Sequence, residues 1–273
     1  IRLFFNFKLA KIIQIRGWHL FIYNTSFYLI LLSTRTFVST YYTVSDFGYF
    51  TFAFTLANVI LLLFQALSSL IFPKLLNKLS KADNTESIMF LKKIRNDYIG
   101  LSHLLVHFVI VLFPIFLLFF PKYNSTIVCF RLISLTLLLY TNTFGFQGLL
   151  IARSKEKVLG KIALLTLLFN VVLAFLFVKL NSHFQYVIVT TLVSYFIYSF
   201  FIGITGLKLL KMKININMLL DSVFPISMLL PFILSLILVV FNLNNIYYTL
   251  PLLLFLVFNY NILKDTLQTV RRT

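Results

Sequence analysis

Long apolar runs, separated by short polar breaks, set the rhythm of this chain. A hydrocarbon core of ~30 Å needs roughly 17–25 residues of helix to cross it. On that ruler the sequence predicts eight spans, at 20–42, 47–72, 99–120, 126–151, 162–178, 186–207, 224–241 and 247–263. The expected fold class is therefore all-α, a polytopic transmembrane helical bundle. The first two spans carry most of the polar signal. Span 1 places Asn24, Tyr28, Arg35 and Ser39 on one face. Arg35 lies roughly 22 Å along the helix from its basic end. Span 2 has no charge, but Thr51, Thr55, Asn58, Gln65 and Ser69 fall on one side at helical spacing. A charge inside a bilayer costs roughly 2.5–3.5 kcal/mol on insertion scales. Arg35 facing a polar stripe therefore points to a water-accessible path. The competing reading is an arginine that snorkels to the headgroups.

The remaining spans differ in character. Span 3 opens with His103 and His107, four apart, and packing is the favoured role because no further metal ligands converge with them. Pro114 is expected to kink it. Span 4 holds Arg131, Asn142, Gly145 and Gly148. Arg131 is shallow enough to snorkel or to line a cavity, and the glycines suit close contact or a bend. Span 5 adds Thr166 and Asn170. Spans 7 and 8 are almost purely aliphatic and aromatic, broken by Pro225, Pro231 and Pro251, and are expected to face lipid. Residues 1–19 read as a basic amphipathic helix on the inner leaflet, or as a cytoplasmic continuation of an upstream segment. Asp46 is expected to cap span 2. Pro73 is expected to close that span, and Asp83–Asn84 to break the 74–96 loop into two charged pieces, short interfacial helices.

Composition narrows the class. The chain has 273 residues, 60% of them hydrophobic, which no soluble domain of this length hides. Its net charge of +17 would suit nucleic acid, but the distribution excludes that partner. All but Arg35, Lys122, Arg131 and Lys179 of the 24 lysines and arginines fall in the termini and alternate loops on one side. The positive-inside rule makes that side cytoplasmic, with both termini there, and the charge attracts membrane lipid headgroups. A single cysteine, Cys129, excludes a disulfide framework. No span holds a carboxylate well inside it, and there is no phosphate-binding glycine loop. No cofactor or metal is therefore expected, and neither a carboxylate-driven antiporter nor an embedded enzyme has its usual acidic groups. The deep charges are positive, and an arginine fork suits phosphate. Residue 1 is Ile, so the chain is expected to be part of a longer protein.

The segments 33–39 (Ser-Thr-Arg-Thr-Phe-Val-Ser), 46–50 (Asp-Phe-Gly-Tyr-Phe), 72–75 (Phe-Pro-Lys-Leu) and 147–155, leading on to Asn170, resemble polysaccharide (O-antigen, Wzx-type) flippases. These belong to the multidrug/oligosaccharidyl-lipid/polysaccharide exporter superfamily. The likeness runs over about 20–210. It implies that 20–210 is a six-helix lobe, the second of two, that 211–273 is an added helix pair, and that 1–19 is the linker from a first lobe outside this chain. It further implies a bacterial inner-membrane protein that flips undecaprenyl-diphosphate-linked oligosaccharide, without being an enzyme itself. Arg35, Asn24, Tyr28, Thr51, Thr55, Asn58, Gln65, Arg131 and Asn142 would line its substrate cavity. An embedded enzyme of envelope-polysaccharide assembly, a cation-coupled drug exporter and a structural subunit are the alternatives.

Overall fold

The computed structural model describes residues 7–271, with side chains to 266. Helices make up almost all of it, and no strand occurs among the described residues. The long helices are α1 (Phe7–Tyr41), α2 (Val44–Lys81), α3 (Asn84–Leu118), α4 (Ile127–Asn142), α6 (Glu156–Lys179) and α7 (Ile188–Leu209). Short α5 (Phe146–Ala152) continues α4 after a break. The last third holds α8 (Ile216–Val223), α9 (Ile226–Val240), α10 (Thr249–Phe258) and α11 (Tyr260–Arg271).

By length and composition, five stretches qualify as membrane spans: α2, α3, the α4–α5 stretch, α6 and α7. Two bent pairs, α8 with α9 at 63° and α10 with α11 at 68°, raise this to seven. The expected eight therefore falls to between five and seven. The missing one is the first, because Asn24, Thr25, Ser26, Ser33, Thr34 and Arg35 dilute the apolar content of α1. The chain is a multi-pass membrane protein.

Helix ends follow local chemistry. Thr43, not Asp46, is the N-cap of α2; Asp46 sits at the third position and completes a capping box with it. Asp83 caps α3 by accepting from the Glu86 amide at 2.7 Å, and Asn215 caps α8. Two regions expected as separate short helices are continuous with longer ones. Residues 7–19 are not a separate surface helix, because α1 runs unbroken through Gly17, which costs a helix only ~1 kcal/mol; residues 1–6 of that expected segment lie outside the described residues. Pro73 does not end α2, and the two helices expected over 74–96 are present not as separate pieces but as the end of α2 and the start of α3, broken at Ala82–Asp83. With 38 residues, α2 is ~57 Å long and outruns the hydrocarbon core, so its basic end projects from the bilayer.

The α4–α5 stretch is the axis of the bundle, the most enclosed of the spans, with α2, α3, α7 and α9 around it. Gly145 divides it at φ +92°, in the left-handed region. A side chain there would collide with the stem of Arg95, and one at Gly148 with Leu75 of α2. α1 lies along α6 more than along α2, its hairpin partner. Asn170 of α6 ties this layer together, donating to the Ile30 carbonyl at 3.0 Å and Ser33 Oγ at 2.8 Å and accepting from Ser194 at 2.9 Å. α9 and α10 do not only face lipid. They pack on α3 and α4 and bury Ser235, Tyr248 and Asn259.

Candidate functional site

α1 and α2 diverge from their short turn, and α4–α5 floors the space between them. Toward the basic end this space is a cavity of about 430 Å³. α1 contributes Tyr23, Asn24 and Phe27, and α2 contributes Gln65, Ser68, Ser69 and Phe72. Tyr98 enters from α3, and Tyr140, Thr141, Thr143, Phe144 and Gln147 come from the α4–α5 stretch. No lysine, arginine, histidine, aspartate or glutamate lines it. Its surface is made of phenols, amides and hydroxyls set among rings.

The local structure explains this lining. The break at Gly145 lets α4 and α5 turn, so Thr143, Phe144 and Gln147 reach the cavity together. Gln147 Nε2 donates to Thr143 Oγ1 at 2.5 Å, which fixes the amide against the wall. Tyr98 stacks on Phe144 at 4.0 Å and donates to the Phe64 carbonyl at 3.2 Å. Gln65 lies beside the Tyr140 phenol across the cavity. Behind them, Phe27 packs against Tyr140 at 4.7 Å, Tyr198 at 4.8 Å and Tyr195 at 5.0 Å. Pro73 has no N–H for the Ser69 carbonyl four residues earlier, which leaves an extra acceptor in α2 at a residue that lines the cavity.

The nine residues singled out in the sequence divide between places. Asn24 and Gln65 line the cavity. Tyr28 lies near Tyr140 and is largely exposed on α1. Arg35 is further along α1, ~16 Å from Asn24 by helical rise. Its guanidinium hangs over Phe47 at 5.5 Å and Phe54 at 5.9 Å on α2. Thr51, one turn from Phe47 on that same face, has a buried hydroxyl without a partner. Thr55 is exposed and Asn58 half-buried on this outer part of α2. None of these four lines the 430 Å³ cavity.

Arg131 and Asn142 are elsewhere. Arg131 is 1% exposed, stacks on Tyr248 at 3.6 Å and donates to Asn245 Oδ1 at 2.8 Å. It neither snorkels nor lines the cavity, because the connection before α10 folds over it. Asn142 points away from the cavity, beside the buried His103 ring, with its amide unpaired. His103 and His107 are packed among Phe224 and Phe255, and His107 Nδ1 is 3.3 Å from Ser235 Oγ. No group of histidines, cysteines and carboxylates able to hold a metal occurs among the described residues.

Sequence reasoning did not single out Tyr23, Tyr98, Tyr140, Thr143 or Gln147 as site residues. The available signal was a tyrosine or glutamine inside an otherwise aliphatic run. Fourteen tyrosines scattered through the chain made it weak. Comparison with protein-family models, with curated proteins and with solved structures gives no match.

Proposed function

We propose that this chain is a lobe of a membrane transporter that flips an anionic, lipid-linked oligosaccharide, with the Wzx-type polysaccharide exporters as the nearest functional analogy. The observation that carries the reading is the division of chemistry along the α1–α2 cleft. An uncharged cavity of phenols, amides and hydroxyls lies at one end. Along the cleft lies Arg35, which has no carboxylate partner among the described residues.

Sugars offer hydroxyls to the amides and hydroxyls, and C–H faces to the rings. A diphosphate linker wants a fixed positive charge, and a guanidinium can bind it in a bidentate way. The ~16 Å rise between Asn24 and Arg35 separates the two recognition elements by several sugar-sized units. The substrate class that fits is an undecaprenyl-diphosphate-linked oligosaccharide, moved across a bacterial inner membrane for O-antigen or capsule assembly. In this reading the cleft's exposed mouth is closed by a further lobe, and the transport step is a conformational change rather than covalent chemistry.

The test is complementation of a strain lacking its own flippase, read as surface polysaccharide. Arg35→Ala is expected to abolish it and Arg35→Lys to keep part, because lysine retains the charge but not the fork. Gln65→Leu is expected to reduce export with normal protein levels. Full polysaccharide with Arg35→Ala, at normal expression, would reject the phosphate-binding role.

A further inference from the structure

A second cavity, of about 330 Å³, opens at the basic end of the bundle and shares no residue with the tyrosine-lined one. α3, the end of α7 and α8 frame it. Its polar lining is Lys92, Arg95, Asn96, Asp221 and Ser222, and its walls include Leu207 and Met218.

Arg95 is the fixed element. It is 5% exposed; the Asp221 charge acts on it from nearby, but its hydrogen bonds go to backbone carbonyls, Nη1 donating to those of Asn142 at 2.8 Å and Phe144 at 3.1 Å. Nη2 donates to the carbonyls of Ser222 at 2.7 Å and Asp221 at 3.4 Å. Carbonyl ligands satisfy the donors but leave the charge in place. Lys92 is exposed at the mouth and has no ion pair among the described residues. Against these two cations stands one carboxylate, Asp221, itself exposed.

The surroundings decide what kind of anion fits. The last turn of α7 carries Lys208 and the connection into α8 carries Lys211 and Lys213, all exposed. α8 leaves Ile216 and Leu220, four apart on one face, uncovered beside them, with Met218 on its opposite side at the cavity. A short helix with basic neighbours and an apolar face belongs at the headgroup level of a bilayer. Basic pockets between spanning helices, walled by apolar side chains, favour a headgroup phosphate with its acyl chains attached.

We propose that this cavity seats the headgroup of an anionic phospholipid from the leaflet at the basic end, against Arg95 and Lys92, with the acyl chains over Met218 and Leu207. Such a lipid would bridge α3 and α8 across the place where Arg95 ties down the break before α5. Occupancy of the site is thereby connected to the wall of the tyrosine-lined cavity, through Phe144.

The experiment is native mass spectrometry of the full chain in mild detergent, with equal amounts of phosphatidylglycerol and phosphatidylcholine. It needs no transport activity, so it stands or falls independently of the flippase reading. Phosphatidylglycerol is expected to be retained several-fold over phosphatidylcholine. Lys92→Gln, which removes charge at the mouth, and Met218→Trp, which fills it, should each lower that retention several-fold. Lys74→Gln, on the same basic end but outside the cavity, should not. Both test positions are partly or fully exposed, and an unchanged unfolding midpoint shows that each variant is folded. Equal retention of the two lipids overturns the proposal. So does an equal loss with Lys74→Gln and Lys92→Gln, which would mean diffuse attraction to basic surface, or full retention in Met218→Trp.

Discussion

Asn170 shows what a single polar side chain does inside this bundle. It is fully buried on α6, and its amide bonds to α1 through Ile30 and Ser33 and to α7 through Ser194. Thr34 and Thr191 meet nearby, joining the same two helices. Interhelical hydrogen bonds in membranes average ~0.6 kcal/mol and reach ~1.7 kcal/mol. Asn170→Ala removes three, while Ser194 keeps its bond to the Thr190 carbonyl and Ser33 its bond to the Ile30 carbonyl, so a loss of about 1–3 kcal/mol is expected. Unfolding in mixed detergent micelles with increasing SDS would measure it. An unchanged midpoint would mean that apolar packing alone sets the α1–α6 contact. The role of Asn170 was only half visible in the sequence. Its helical face was readable from Thr166 and Asn170, four apart, but its acceptor is a backbone carbonyl on α1, and no residue pattern reports a carbonyl.

At the scale of elements, the informative feature is the broken helix. Gly145 at φ +92° interrupts α4–α5, and Pro225 interrupts α8–α9. Both breaks expose carbonyls that a continuous helix would satisfy. Arg95 collects them: two from the 142–144 turn and two from the end of α8. Its ring partner is Phe146, 4.6 Å away on α5. The sequence signalled the bend, through Gly145 and Gly148, and the α8–α9 break, through Pro225. It placed Arg95 in a basic loop, where it counted as one more positive-inside charge, because the helix that buries it was expected to start only at Ile99. Two substitutions test the element. Gly145→Ala forces a left-handed φ on an alanine, at ~1–2 kcal/mol, and puts its Cβ 2.7 Å from Arg95 Cγ. A lower unfolding midpoint is expected, with loss of complementation. Arg95→Lys keeps charge but cannot reach four carbonyls, so it should resemble Arg95→Gln rather than the native protein. If Arg95→Lys has native stability, the carbonyls are satisfied some other way.

At the scale of the whole molecule, the chain's charge asymmetry and its helix connectivity agree. Tyr42 at the α1–α2 turn donates to the Ser182 carbonyl after α6 at 2.6 Å, and Gln185 donates to the Ser125 carbonyl before α4 at 2.7 Å. Three turns therefore share one end, with Lys122 and Lys179 close to it. At the opposite end, Arg153 reaches back to the Ala82 carbonyl at 2.6 Å, and Arg16 pairs with the buried Glu156. That end carries the lysines of the α2–α3 hairpin, the α5–α6 turn and the approach to α8. The apolar runs and their flanking charges made this two-ended arrangement readable from sequence. The polar content of α1 and the bends at Pro225 and Asn259 blurred only the count of spans. The prediction from the positive-inside rule is that the lysine-rich end faces the cytoplasm. With Cys129 buried and replaced by serine, single cysteines at exposed positions report the orientation. His183→Cys should react with a membrane-impermeant maleimide in intact cells, and Thr85→Cys only after permeabilisation. The reverse pattern would invert the bundle and place the cation-lined cavity beside α8 on the outer surface, away from the leaflet in which the lipid-linked substrate is expected to enter.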